Sequence, residues 1–130
     1  MGCGAHTDYG CCTILNQDST GGLEIYNKFT SNWIDAPPVP GSLVINLGDM
    51  MQRWTNEVYP STIHRVKLNK KSQQSRYSIP FFVNPDVGTI VQCLSSCDTT
   101  NAKYPPERSE EILRQRWDDA FSKNIKKVGN

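Results

Sequence analysis

The segment STIHRVKLNKKSQQSRYSIPFFV, residues 61–83, carries the strongest fold signal in this chain of 130 residues. It joins two runs rich in β-branched and aromatic side chains through the polar loop 69–75, a pattern typical of two strands and their connection. Side chains two residues apart on a strand share a face, so His64 shares one with Val66 and Leu68. The segment therefore predicts two strands, the first of which turns a histidine toward an apolar face.

Shorter runs of the same kind fill most of the remaining chain. Glycine, proline and asparagine separate them and supply turn chemistry. The run 42–47 is apolar on both faces, which indicates a buried strand, whereas 50–59 fits a helical turn or a short strand equally well. The strand spacing predicts an all-β sandwich, jelly roll or barrel, with its strands in about residues 5–95.

A helical pattern begins after the paired prolines that precede Glu107. Ser109 suits the N-cap position, and the acidic residues that follow it suit the first turn. The apolar side chains then fall on one helical face; they are Leu113, Trp117, Ala120 and Phe121. We predict a C-terminal helix over about 109–123, within a single domain of residues 1–130, a length that suits one hydrophobic core.

Composition excludes several kinds of partner. The chain has 14 basic and 13 acidic residues, so no basic surface indicates nucleic acid. No apolar run approaches the about 20 residues that cross a bilayer, and the first ten residues lack the basic start and apolar centre of a secretory signal. Five cysteines, an odd number with two adjacent, are not typical of a disulfide framework. We expect free thiols in a cytoplasmic protein without nucleic-acid or membrane partners.

The two histidines of the chain, His6 and His64, point to a metal site. His6 and Asp8 are two residues apart, so a strand would present both to one ion. With His64 they would supply two imidazoles and one carboxylate, the facial ligand set of non-haem Fe(II) oxygenases, which leaves further positions open. Zinc accepts the same residue types, and a histidine in a β core is more often a packing residue. The ligand pattern alone therefore leaves the metal open.

Arg76 and Ser78 form a second polar pair with the same spacing. An arginine inside a strand with apolar neighbours is costly unless it meets an anion, and a serine hydroxyl adds one donor. Arg76 and Ser78 could thus form an anion clamp. A metal with open coordination positions near this clamp would suit a dicarboxylate that is held at both ends. The alternative is that Arg76 lies at a sheet edge and forms a surface salt bridge.

Five motifs follow one another in the order of a known family. They are HTDYGCCTIL, GGLEIY, WIDAPPVPGSLVINLGDMMQRWTN, YPSTIHRV and RYSIPFF. Together they resemble the C-terminal oxygenase domain of the 2-oxoglutarate/Fe(II)-dependent family, which includes isopenicillin N synthase and many plant and fungal hydroxylases. The resemblance covers about residues 4–122. Its most specific part is the separation of H-x-D, H-R-V and R-x-S, with the PG–apolar–GD segment between them.

The resemblance implies a role for each of the five polar residues. His6, Asp8 and His64 would bind iron. Arg76 and Ser78 would hold the distal carboxylate of 2-oxoglutarate. Both groups follow from matching this sequence to the family motifs position by position.

The resemblance also implies a fold and a reaction. The fold is a double-stranded β-helix, a jelly roll with the metal in its mouth. The reaction is an Fe(II)- and 2-oxoglutarate-dependent dioxygenation, in which O2 oxidises a small organic substrate by hydroxylation or desaturation and succinate and CO2 are released. Phe82, on the face of Arg76, would line the pocket or pack in the core. A sub-group of the family uses iron and O2 without 2-oxoglutarate.

The N-terminal side of the chain departs from the family pattern. The family places a long region and at least one barrel strand before H-x-D, whereas five residues precede His6 here. We therefore expect the C-terminal part of a larger oxygenase, with an incomplete jelly-roll core. The alternative function is a catalytically incomplete fragment that acts as a binding or association module, since an exposed sheet edge invites self-association. A cupin-like protein with non-oxidative chemistry is disfavoured by the R-x-S motif.

Overall fold

The computed structural model describes residues 2–67 and 75–128. Leu68 and the predicted loop 69–75, except for Ser75, lie outside the described residues. The described part forms nine strands and two helices. In chain order they are β1 Cys3–His6, β2 Cys12–Gln17, β3 Leu23–Asn27, β4 Asn32–Asp35, β5 Val44–Leu47, α1 Asp49–Trp54, β6 His64–Val66, β7 Ser78–Val83, β8 Ile90–Val91, β9 Glu107–Arg108 and α2 Ser109–Val128. No helix in this part is long and apolar enough to cross a membrane.

The strands form two antiparallel sheets and one two-stranded ribbon. The first sheet has the order β1-β6-β3-β4 and the second the order β5-β2-β7, while β8 pairs with β9. A cavity of about 440 Å³ lies between the two sheets. Leu23 and His64 line it from the first sheet, and Thr13 and Phe82 line it from the second. The predicted all-β fold with a jelly-roll core and a C-terminal helix is confirmed.

A small apolar cluster attaches the C-terminal helix to the rest of the chain. Met50 of α1, Val91 of β8 and Ile112 of α2 are buried together, and Trp54 and Leu113 pack against them. The segment that fitted a helical turn or a strand is thus the helix α1. It has an acidic side chain in its first turn and a basic one in its last, as the helix dipole favours. The cluster fixes the position of α2 relative to α1.

The start of α2 differs from the sequence prediction. The helix begins at Ser109 and extends past the predicted end at 123. Ser109 is its first residue and does not cap it, because its hydroxyl donates to the Asp86 carbonyl at 3.0 Å and its N–H donates to the Thr89 carbonyl at 2.9 Å. The short strand β9, which lies outside the predicted strand region 5–95, directly precedes this serine. Tertiary contacts therefore fix the helix start.

The apolar face predicted for α2 is only partly covered, and the expectation of burial for β5 was wrong. Leu113 of this face packs against the core cluster, whereas Trp117 is 61% exposed; the side chain of Phe121 lies outside the described residues. Ile45 of β5 is 63% exposed although its strand was expected to be buried. Ile45 and Phe81 flank the same residue of β2 in register, and both are exposed. The outer face of the three-stranded sheet is therefore apolar and uncovered within the described part of the chain.

Candidate metal centre

Three side chains with metal-binding groups converge at the end of β1. His6 lies opposite His64 in the β1–β6 pair, and their ring centroids are 4.3 Å apart. Asp8 lies two residues beyond the end of β1, so it does not share a strand with His6 as predicted. One ligand atom from each of the three residues lies within 4.8 Å of the other two. The structure thus brings together the three side chains that the sequence singled out.

The backbone orients both imidazole rings. The Nδ1 atom of His6 is 2.8 Å from the Gly4 carbonyl oxygen, and that of His64 is 3.1 Å from the Thr62 carbonyl oxygen. A carbonyl oxygen only accepts, so a neutral ring donates its proton from Nδ1 and keeps a lone pair on Nε2. Each Nε2 lies 3.6 Å from Asp8 Oδ1, which is beyond hydrogen-bond distance. Two nitrogen lone pairs and a carboxylate oxygen therefore face one small space.

The carboxylate of Asp8 is buried, with 6% of the residue exposed. Its Oδ2 atom accepts from Thr13 Oγ1 at 2.5 Å and from Asn46 Nδ2 at 2.7 Å. These two bonds fix the carboxylate plane and leave Oδ1 turned toward the imidazoles. Hydrogen-bonded partners of this kind orient the ligands of protein metal sites. Thr13 and Asn46 were not predicted as site residues, although an asparagine inside the apolar run 42–47 was an available signal.

The donor set fits a divalent cation. Without one, three acceptor atoms would face one another, and one of them belongs to a buried carboxylate. Two imidazole nitrogens and one carboxylate oxygen suit Fe(II) with open positions, and zinc accepts the same atoms. The residues present therefore fit the iron that the family resemblance implies.

The first turn of α1 holds the ligand segment through its backbone. The N–H of Asp49 donates to the Asp8 carbonyl at 2.8 Å, and the N–H of Gly48 donates to the Cys11 carbonyl at 2.9 Å. The two segments approach so closely that a Cβ atom on residue 48 would lie 2.3 Å from the carbonyl oxygen of Gly10. Only glycine allows this approach. The GD pair in the sequence is therefore part of the support for Asp8.

The predicted anion clamp lies on the same cavity. Arg76 precedes β7, so it is not inside a strand as predicted. Its guanidinium donates from Nε to the Gly21 carbonyl at 2.8 Å, from Nη1 to Ser78 Oγ at 2.8 Å and from Nη2 to Gln17 Oε1 at 3.1 Å. Within residues 2–67 and 75–128 it forms no ion pair. The expected surface salt bridge is thus not present in this part, and the charge of Arg76 stays available to an anion.

Asp18 fixes the chain next to this clamp. It accepts from the Tyr77 N–H at 2.5 Å and from the Thr20 N–H at 2.9 Å. These bonds, the Tyr77 one first, lower the pKa of Asp18 below its ordinary value of 3.8. Arg76 and Ser78 flank Tyr77 in the sequence, so an ionised Asp18 secures the backbone between them.

Phe82 lies between two cavities. It lines the cavity that holds the candidate ligands and the clamp, and it also lines a neighbouring one of about 330 Å³. It is 55% exposed, so simple core packing does not describe it. Leu113 and Trp117 of α2 form the far side of the second cavity, which reaches His6 and Asp8. The candidate metal centre is therefore open toward the C-terminal helix.

A family comparison agrees with this geometry. The family model described as the 2OG-Fe(II) oxygenase superfamily matches residues 1–85. The chain belongs to this superfamily. A 2-oxoglutarate-Fe(II) type oxidoreductase of Emericella nidulans is 41% identical over 124 residues, which are 94% of this chain and 35% of that protein. A 1-aminocyclopropane-1-carboxylate oxidase of Dictyostelium discoideum is 40% identical over 99% of this chain and 35% of its own length.

Solved structures of oxygenases have the same fold as this superfamily member. A full-length Neurospora crassa protein, crystallised with alpha-KG and thymine, has a TM-score of 0.81 and 35% identity over 91% of this chain and 37% of its own. The rice dioxygenase for auxin oxidation has a TM-score of 0.83 and 28% identity over 91% of this chain and 40% of its own. This superfamily member spans about 35% of the length of the curated relatives named above.

The family assignment confirms several predictions. Fe(II) and 2-oxoglutarate are the cofactor and cosubstrate of the superfamily to which this chain belongs. The named relatives are oxidoreductases, oxidases and dioxygenases. The alternative of a catalytically incomplete binding module is not favoured by these matches. The roles of the individual site residues remain predictions.

Proposed function

We propose that this chain supplies the metal and cosubstrate site of a non-haem Fe(II)- and 2-oxoglutarate-dependent dioxygenase that hydroxylates or desaturates a small organic substrate. The observation that carries the proposal is the facing of three acceptor atoms: the Nε2 atoms of His6 and His64 lie 3.6 Å from Oδ1 of Asp8. Only a cation makes that arrangement favourable while both rings are neutral.

The site residues would have the following roles. His6, Asp8 and His64 would hold Fe(II), which supplies the chemistry that couples oxidative decarboxylation of 2-oxoglutarate, with release of succinate and CO2, to oxidation of the substrate. Arg76 would pair with the distal carboxylate of 2-oxoglutarate, because an arginine binds a carboxylate more strongly than a neutral donor does. Ser78 Oγ accepts from Arg76, so its own proton is free to donate to the same anion.

Metal binding tests the first part of the proposal. Mn(II) replaces Fe(II) as an air-stable probe, and its dissociation constant is measured by electron paramagnetic resonance on the 130-residue chain. We expect one tight site, lost in Asp8→Ala and in His64→Ala. Asp35→Asn, at an exposed aspartate, is the matched control and should bind like the parent chain. Equal binding by all four proteins would contradict the ligand assignment.

Because the chain has two histidines, NMR allows a second, independent measurement. The imidazole proton resonances of His6 and His64 can be followed by NMR, and His64→Ala identifies which is which. Mn(II) is paramagnetic and should broaden both resonances at substoichiometric concentration. If neither resonance broadens at a Mn(II) concentration that saturates the site found by electron paramagnetic resonance, the ion binds elsewhere.

The clamp is tested with the cosubstrate. Arg76→Lys keeps a charge but loses the forked geometry, and Arg76→Ala loses both. We expect 2-oxoglutarate to bind the Mn(II)-loaded chain and the affinity to fall in the order parent, Arg76→Lys, Arg76→Ala. Loss of one charge-assisted bond corresponds to about 1.5–3 kcal/mol, or roughly 10- to 100-fold. An unchanged affinity in Arg76→Ala would favour the iron- and O2-dependent sub-group that does not use 2-oxoglutarate.

A further inference from the structure

The C-terminal helix contacts the ligand segment through one arginine. Arg116 Nη2 donates to Thr7 Oγ1 at 2.8 Å, and Thr7 is the residue between His6 and Asp8. The same nitrogen lies 2.7 Å from Asp49 Oδ2. Thr7 Oγ1 donates to that oxygen at 3.4 Å. Arg116, Thr7 and Asp49 thus form a closed triangle of polar contacts at the residue between the two candidate ligands of this segment.

The anchoring of α2 holds Arg116 in this position. Ile112 lies one helical turn earlier, is buried, and packs in the core cluster with Met50 of α1. The guanidinium carbon of Arg116 also lies 4.9 Å from the ring centre of Tyr9, within the range of a cation–π contact. The anchored helix and the contact with Tyr9 therefore hold Arg116 next to the segment that carries His6 and Asp8.

Asp49 connects the triangle to the metal ligand. Its N–H donates to the Asp8 carbonyl at 2.8 Å, while its carboxylate pairs with Arg116. The segment that carries His6 and Asp8 is thus fixed by backbone bonds from α1 and by the Thr7 hydroxyl bonded to Arg116. Bonds that position ligands in this way tune metal affinity even though they do not touch the ion.

We propose that Arg116 is a positioning residue for the metal centre, acting through Thr7 and Asp49. The proposal rests on the proposed function, since it concerns the site formed by His6, Asp8 and His64. The C-terminal helix then belongs to the metal centre as well as to the core. The side chain of Arg116 is 37% exposed, and ion pairs that are partly solvated contribute little to the stability of the fold. Its effect should therefore appear in metal affinity and not in thermal stability.

The test compares two arginines of the same helix. Arg116→Gln removes the charge and the triangle, whereas Arg114→Gln removes an exposed arginine two positions earlier. We expect Arg116→Gln to bind Mn(II) about 10-fold more weakly than the parent chain, at the low end of the range for groups that orient metal ligands without touching the ion. Arg114→Gln should bind like the parent. Arg116→Lys, which keeps the charge with a different shape, should recover part of the loss.

Two further readouts separate positioning from general destabilisation. The His6 resonance should shift in metal-free Arg116→Gln more than the His64 resonance, because Thr7 adjoins His6 in the chain. The thermal midpoints of Arg116→Gln and Arg114→Gln should agree. Equal Mn(II) affinity in these two variants would overturn the proposal, and so would a loss of affinity that tracks a lowered midpoint. His64→Ala distinguishes a failure of this proposal from a failure of the proposed function. If His64→Ala binds Mn(II) like the parent chain, the ligand assignment itself fails.

Discussion

Removal of the Thr13 hydroxyl should weaken metal binding without unfolding the chain. Thr13→Val is nearly isosteric and deletes the donor that bonds to Asp8 Oδ2 at 2.5 Å. Loss of a hydrogen bond that orients a metal ligand weakens metal binding by roughly 10- to 100-fold, which corresponds to about 1.4–2.8 kcal/mol at about 1.4 kcal/mol per tenfold. Asn46 still donates to the same oxygen at 2.7 Å. The retained bond places the expected loss near the lower value, about 10-fold in the Mn(II) dissociation constant.

Thr55 provides the matched control. Like Thr13 it is a buried threonine, but its hydroxyl donates to the Met51 carbonyl at 2.8 Å and does not reach the candidate ligands. Thr13→Val and Thr55→Val should each lower the free energy of unfolding, measured with urea, by about 1–3 kcal/mol. Only Thr13→Val should weaken Mn(II) binding. If the two variants bind Mn(II) equally, the argument that Thr13 orients the Asp8 carboxylate is refuted.

Two further predictions concern the support of the site. Gly48→Ala places a Cβ atom 2.3 Å from the Gly10 carbonyl oxygen and should lower the free energy of unfolding by about 1–3 kcal/mol. Gly4→Ala is the control, because no atom lies within 4 Å of a Cβ at that position. Equal urea midpoints for the two variants would contradict the prediction. The pKa of Asp18 is lowered in the folded chain from 3.8 by the Tyr77 and Thr20 N–H groups, so its contribution to stability is present above that value and is lost as pH falls through the lower folded value. Between about pH 6 and about pH 2.5 the parent chain should therefore lose more stability than Asp18→Asn does, and an equal loss would show that these bonds do not depend on ionisation.

The sequence was sufficient to single out the three side chains that the structure brings together at the candidate centre. Two histidines in the whole chain, an aspartate two residues from the first, and the R-x-S pair left few other candidates. Their residue types and their order along the chain were visible locally, whereas the period of two along a strand did not apply to either pair, because Asp8 lies beyond the end of β1 and Arg76 precedes β7. The alternation of short strands and turns likewise indicated the fold class.

The supports of the site could not be predicted in the same way. Asn46 reaches Asp8 because β5 and β2 pair side by side, and strand order is not encoded in any local pattern. Ser109 has the residue type of a helix cap, but a carbonyl 23 residues earlier takes its hydroxyl. The exposure of Ile45 also depends on what covers its sheet, which a single strand does not reveal.

The β1–β6 pair gives the centre a topological role. β1 is at an edge of the four-stranded sheet, and edge strands separate from a sheet more easily than inner ones. An ion bound to both His6 and His64 would cross-link this edge strand to an inner one and close a loop that includes β2, β3, β4, β5 and α1. Because these ligands come together only in the folded chain, the free energy of ion binding would add to the stability of the fold and would resist separation of β1 from the sheet.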